Sequence, residues 1–161
     1  MKKAFLLLCA LMIGGFSALA KPRFILMCSA TNDLYRVLKQ SGIASERTGS
    51  PEGAVARAVS GSAVLILADH YPAQPTVIPS HVWDEAERKR LKVFVEFADN
   101  VPGIKPIANE PRGVTWERGI VSANVFGPRL TKLSLLALHD CRFIPVEAGN
   151  PWVVIGRVAG F

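Results

Sequence analysis

Asp69 and His70 stand at the end of "VLILADHYP", residues 64–72, where five apolar residues run into an acid, an imidazole, an aromatic ring and a proline. A buried strand delivers polar groups at its tip in this order. A second apolar run, "KVFVEF" (residues 92–97), brings Glu96 and then Asp99 to a similar place. Two carboxylates at neighbouring strand ends can serve as acid and base in glycoside hydrolysis, which requires them at a defined separation. Asp69 and Glu96 are therefore the candidate catalytic pair. Each also has a plainer use. An aspartate after a strand accepts hydrogen bonds from loop N–H groups, and Glu96, inside its run, suits pairing with a nearby Arg or Lys. Ser29, Thr31 and Asn32 follow the first apolar run and could hold an anion at a helix N-terminus, although helix capping alone accounts for them. The candidate ligand-binding set is Ser29, Asp69, His70 and Tyr71.

"HDC" (residues 139–141) holds a possible base, acid and nucleophile. On an extended strand His139 and Cys141 share a face and Asp140 does not, so a His–Cys contact is possible and a triad is not formed. The plain reading is a strand-end acid beside a small buried thiol. No metal site is expected: His70, His81 and His139 show no paired spacing, and the chain has no CxxC. No cofactor is expected either, because "CSATNDLY" lacks the glycines of a dinucleotide-binding loop. Trp83, Trp116 and Trp152 could stack on sugars, but each lies in a helix or strand pattern, where core or interface packing is the default.

These residues need elements to hold them. "RFILMCS" (residues 23–29) is a continuous apolar run too short for a helix, the pattern of a strand buried on both faces. Leu34, Val37 and Leu38 then repeat at helical spacing up to Gly42. "ASERTG" reads as a short strand. Ser50 and Pro51 open a second helix, with Ala54, Val55, Ala58 and Val59 on its apolar face and Gly61 at its end. "AVLILAD" is the next buried strand. "SHVWDEAERKR" is a third helix, facing inward through Val82, Trp83 and Ala86, and "KVFVEF" is the strand after it. Alternating strand and helix implies a parallel sheet with helices on both faces. Beyond "ADNVPG" the character changes. Pro102, Gly103, Pro106 and Pro111 mark an irregular connection. "TWERGIVSAN", "RFIPVEA" and "WVVIGRVAG" read as strands, and "GPRLTKLSLLALHDC" fits either a helix or a strand.

Composition narrows the class. The chain has 161 residues and a formal net charge of +6. Residues 1–20 read as a signal peptide: Lys2 and Lys3, the apolar "AFLLLCALMIGGF", and the small-residue site "ALA". That apolar run is short for a membrane span, so residues 21–161 are expected as a single exported α/β domain, periplasmic or extracellular, free of the membrane after cleavage. Cys9 lies too early, behind Leu8, for a lipid attachment site. The basic residues are scattered, and "ERKR" (residues 87–90) carries its own acid, so it reads as a solvated helix end and not a nucleic-acid surface. Cys28 and Cys141 could pair in an exported protein, but one pair does not make a disulfide framework, and buried free thiols suit their apolar, strand-like contexts as well. The chain stops at Phe161 directly after an apolar strand, as the N-terminal module of a longer protein would.

The strand–helix order through "AVLILADHYP" to "LKVFVEF", covering roughly residues 23–103, resembles the class I glutamine-amidotransferase-like superfamily, nearest its ThuA-like and β-galactosidase trimerisation-type members. The ending "CRFIPVEAGNPWVVIGRVAGF" is similar to N-terminal modules of secreted bacterial proteins of polysaccharide breakdown. The resemblance implies a flavodoxin-like fold and a place in carbohydrate metabolism. It does not carry over the amidotransferase reaction. Neither "LMCSA" nor "HDCRF" has the glycines of a nucleophile elbow, and "FADN" stands where a glycine triplet is common.

The expected architecture is a three-layer α/β sandwich with a mainly parallel central sheet and additional strands in the C-terminal third. The expected function is that of a noncatalytic module binding a C-terminal domain, a second copy of itself or a glycan. The alternative is a carbohydrate-active hydrolase using carboxylates at the strand C-terminal ends.

Overall fold

The computed structural model describes residues 24–107 and 111–156, with Val114 and Thr115 described by their backbone alone. The expected signal peptide, residues 1–20, lies outside the described residues, as do residues 157–161 of the last expected strand.

The first half is a four-stranded parallel sheet of β1 (Phe24–Met27), β2 (Ser45–Thr48), β3 (Ala63–Ile66) and β4 (Lys92–Val95), in the order β2-β1-β3-β4. Helices α1 (Asp33–Gln40), α2 (Pro51–Arg57) and α3 (Ser80–Arg88) make the three connections. Alternation along the strands sends side chains to two cores. Ile25, Val64 and Ile66 pack with Ala54, Val55 and Ala58 around α2 and with Val82 and Ala86 of α3. Leu26, Cys28 and Leu67 pack with Phe24, Leu65 and, from α1, Tyr35 and Leu38. Thus β1 is buried on both faces, as its unbroken apolar run requires.

The helix boundaries follow local chemistry. Asn32 caps α1, its side-chain oxygen accepting from the N–H of Tyr35 at 3.3 Å. Ser50 caps α2 in the same way from Gly53 at 3.1 Å, with Pro51 in the first turn. Val59, expected on the inner face of α2, is instead 70% exposed, because the helix stops at Arg57. The basic cluster also departs from expectation. Lys89 is not solvated: its Nζ donates to the carbonyls of Val55 and Ala56, both at 2.8 Å, and of Ala58 at 3.3 Å. It thereby supplies the cation and the donors that the C-terminal end of α2 wants.

The second half forms sheets of its own instead of widening the parallel one. The strand β6 (Arg112–Val121) lies between β7 (Leu135–Phe143) and β9 (Val153–Gly156), all antiparallel, and β5 (Lys105–Pro106) pairs with β8 (Val146–Glu147). The ambiguous "GPRLTKLSLLALHDC" divides: residues 128–134 turn, with Leu133 at φ +70, and the rest is strand. The sheet is tightly packed at Gly119, where a Cβ would lie 3.2 Å from Val153 Cγ1 and 3.3 Å from Leu136 Cβ.

Candidate functional site

The order β2-β1-β3-β4 puts a reversal of strand order between the parallel neighbours β1 and β3, and ligands of open parallel sheets bind beyond the strand carboxyl ends at such a point. Cys28, Ser29 and Asp69 emerge there. The backbone continues the sheet one step past the strands, Leu67 N–H donating to Met27 O at 2.9 Å. Cys28 is buried, and burial first, then the negative charge of Asp69, push its thiol pKa up, with Arg47 acting the other way. Arg47 donates to Cys28 O at 3.0 Å. The Ser29 and Thr31 hydroxyls are 3.0 Å apart and bond to each other.

The sequence-predicted residues do not form one group. Asp69 and His70 are exposed at the tip. Asp69, expected to accept from loop N–H groups, accepts no hydrogen bond among the described residues. That role falls to Glu96, whose Oε2 takes the N–H of Ala68 at 2.9 Å. Glu96 was expected to pair with a basic side chain; among the described residues it makes no ion pair. Its strand ends before Phe97, which sits at φ +51, outside extended backbone. Thr76 and Asn100 then secure the loop: Thr76 Oγ1 donates to Glu96 O at 2.9 Å, and the Asn100 side chain bonds both backbone groups of Ile78 at 3.0 and 3.3 Å.

Tyr71 leaves the tip for the other sheet. Its hydroxyl accepts the N–H of Arg142 in β7 at 2.5 Å and donates to Arg142 O at 3.3 Å. Its ring meets Phe97 edge to face, with centroids 5.2 Å apart. The structure thus brings Tyr71 and Glu96 together, and leaves Ser29 and Asp69 at the β1–β3 reversal. Between the sheets opens a cavity of about 400 Å³, lined by Tyr71, Glu96, Phe97, Ile104, Arg142 and Phe143 among others. The sequence reading missed Phe97, Ile104 and Arg142. Phe97 and Arg142 lie in runs that signalled strands and Ile104 in the irregular connection, and nothing local says that β7 returns to the tip of β3.

The "HDC" stretch also differs from its ideal strand. Leu136 and Leu138 are half-buried before Asp140, and Cys141 and Phe143 after it, so the inward parity shifts by one at Asp140, whose φ is +44. His139 and Asp140 are both exposed, with Nδ1 and Oδ2 3.3 Å apart, while Cys141 is half-buried. Both Cys28 and Cys141 are free thiols. Among the described residues no three His, Cys, Asp or Glu side chains converge as metal ligands. No helix among them is long and apolar enough to cross a membrane.

The tryptophans divide. Trp83 packs against the α2–α3 core, its indole N–H buried without a hydrogen-bond partner among the described residues. Trp116 and Trp152 are 61% and 59% exposed, so core packing is not their role. Arg118 lies over the Trp116 ring at 5.2 Å, and Trp152 meets Phe126 edge to face at 6.0 Å. In β6, Trp116, Arg118 and Ile120 sit opposite His139, Ala137 and Leu135, and Ile120 is also opposite Val154. One face of the sheet therefore presents Trp116, Leu135 and Val154 to solvent.

No protein-family model, curated protein or solved structure matches the chain.

Proposed function

We propose that this chain is an exported, noncatalytic α/β module that works by binding, to a further domain, a second copy or a glycan, in carbohydrate metabolism. The observation that carries the binding reading is the face of the β6–β7–β9 sheet bearing Trp116, Leu135 and Val154. Exposed large apolar side chains grouped on one sheet face are the usual mark of an interaction surface. The strand order and the two cores on either side of the parallel sheet support a flavodoxin-like, three-layer reading of the first half. The engagement of Tyr71 and Glu96 in backbone hydrogen bonds supports a structural use of the tips over hydrolysis.

Purified chain 21–161 tests this in three measurements. Sedimentation velocity reads self-association. Co-sedimentation with insoluble plant and microbial polysaccharides reads glycan binding. Reducing-end release reads hydrolysis. Binding or self-association that weakens in Trp116→Ala, without sugar release, is the expected result. Turnover lost in Asp69→Asn or Glu96→Gln, with the fold intact, replaces this reading by the hydrolase. Export is tested on secreted material by mass spectrometry, with an N-terminus at Lys21 expected and an intact leader contrary to it.

A further inference from the structure

The cleft between the two sheets has its own chemistry, separate from the exposed face. At about 400 Å³ it is near the lower end of small-molecule sites. Its walls are largely apolar: Phe97, Val101, Ile104, Phe143 and Val146. Two residues of opposite charge line it, Glu96 and Arg142. They form no ion pair with each other or with any other described residue. Each is anchored by a separate bond. Glu96 holds the Ala68 N–H through Oε2, and Oε1 has no partner among the described residues. The backbone of Arg142 is fixed at both polar groups by the Tyr71 hydroxyl, and its guanidinium has no partner among the described residues. Phe97 is held in left-handed backbone beside them, its carbonyl accepting from Thr76 N–H at 2.8 Å. Such conformations persist where the surroundings enforce them, and they cluster at ligand clamps.

We propose that this cleft binds a small zwitterion with an apolar body, namely a free α-amino acid with an aliphatic or aromatic side chain. The ammonium is taken by Glu96, the carboxylate by Arg142, and the side chain by the apolar walls. A guanidinium suits a carboxylate because it can offer two parallel N–H donors. The nearby Glu96 carboxylate opposes a phosphate or a second anion. A sugar acid could satisfy Arg142, but its hydroxyls would face Val101, Ile104 and Val146 unpaired, which is costly. The Glu96 carboxylate is positioned by a bond present without ligand, whereas the Arg142 guanidinium is ordered when the carboxylate binds, at some cost in side-chain entropy.

Isothermal titration of the purified chain with leucine and phenylalanine tests the site. Leucinamide lacks the carboxylate, N-acetyl-leucine lacks the ammonium, and glucuronate is the sugar acid. The expected result is saturable binding of leucine or phenylalanine, about tenfold or more tighter than either capped analogue, roughly the value of one charged contact. Arg142→Gln keeps the backbone groups that bind Tyr71, and should erase the preference for leucine over leucinamide. Glu96→Gln keeps a carbonyl oxygen for the Ala68 N–H, and should erase the preference over N-acetyl-leucine. Unchanged thermal melting of both variants establishes that the fold is intact. If either variant melts early, Ile104→Trp on the cleft wall reads the location instead, through loss of binding. Absence of saturable binding by any amino acid, equal affinity for the capped forms, or tighter Arg142-dependent binding of glucuronate overturns the proposal. None of these outcomes bears on the Trp116 face.

Discussion

Tyr71 is the residue on which the two halves of the molecule meet. Its hydroxyl both accepts from and donates to the backbone of Arg142. Tyr71→Phe keeps the ring against Phe97 and removes only these bonds. At a partly exposed site water can replace them, so the expected loss is about 0.5–1.5 kcal/mol in urea unfolding. A larger loss would mean that the bond organises the cleft cooperatively. Cys28 yields a pH dependence. Its thiol pKa is raised in the folded state, chiefly by burial. Its contribution to stability is therefore complete below the unfolded thiol value of about 8.5 and is lost as pH rises through the folded value. Denaturation midpoints should fall on the alkaline side less in Cys28→Ala than in the parent, and thiol reagents should modify Cys141 before Cys28. What the sequence discloses at this scale is position along a strand, not partner. "VLILADHYP" correctly marks a strand tip. That Glu96 and not Asp69 takes the Ala68 N–H depends on the neighbouring strand, 28 residues on, and no local pattern reports it.

The elements of the first half were legible because each is specified locally: apolar runs for β1 and β3, Asn32 and Ser50 as caps, and Pro51 at the start of α2. Lys89 shows where local reading fails. In sequence it belongs to a basic run that looks solvated. In the fold its side chain is only 15% exposed and closes the end of a different helix. Lys89→Met keeps the alkyl stem and removes the donors from the carbonyls of Val55 and Ala56. The expected cost is about 1–2 kcal/mol in chemical denaturation, in the range for losing a charged donor from a helix end. Arg88 makes its contacts with Glu85 at the surface, where solvent screens them, and Arg88→Ala should leave the denaturation midpoint nearly unchanged. Equal effects of the two substitutions would contradict the capping role. The second half was harder to read. Asp140 shifts the inward parity of β7, and a strict two-residue period does not anticipate a left-handed residue inside a strand.

At the scale of the whole molecule, burial is uneven. Among the described residues, the large fully buried side chains apart from Val121 lie in the first half, from Leu26 to Ile78. The antiparallel sheet instead leaves Trp116, Leu135 and Val154 open on one face. This asymmetry is what the chain would have if a partner completed its second half. Tryptophan emission reads it directly, since one indole is sheltered and two are open. Acrylamide should quench most of the emission of the free protein, through Trp116 and Trp152, and leave a protected fraction from Trp83. The Trp116→Phe, Trp152→Phe double variant should retain only that protected fraction. Addition of a bound partner or polysaccharide should shield Trp116 and shift its emission to shorter wavelength, in the parent but not in Trp116→Phe. If a ligand binds tightly while Trp116 stays as quenchable as before, the sheet face is not the binding surface. The strand tips or the cleft would then carry the interaction.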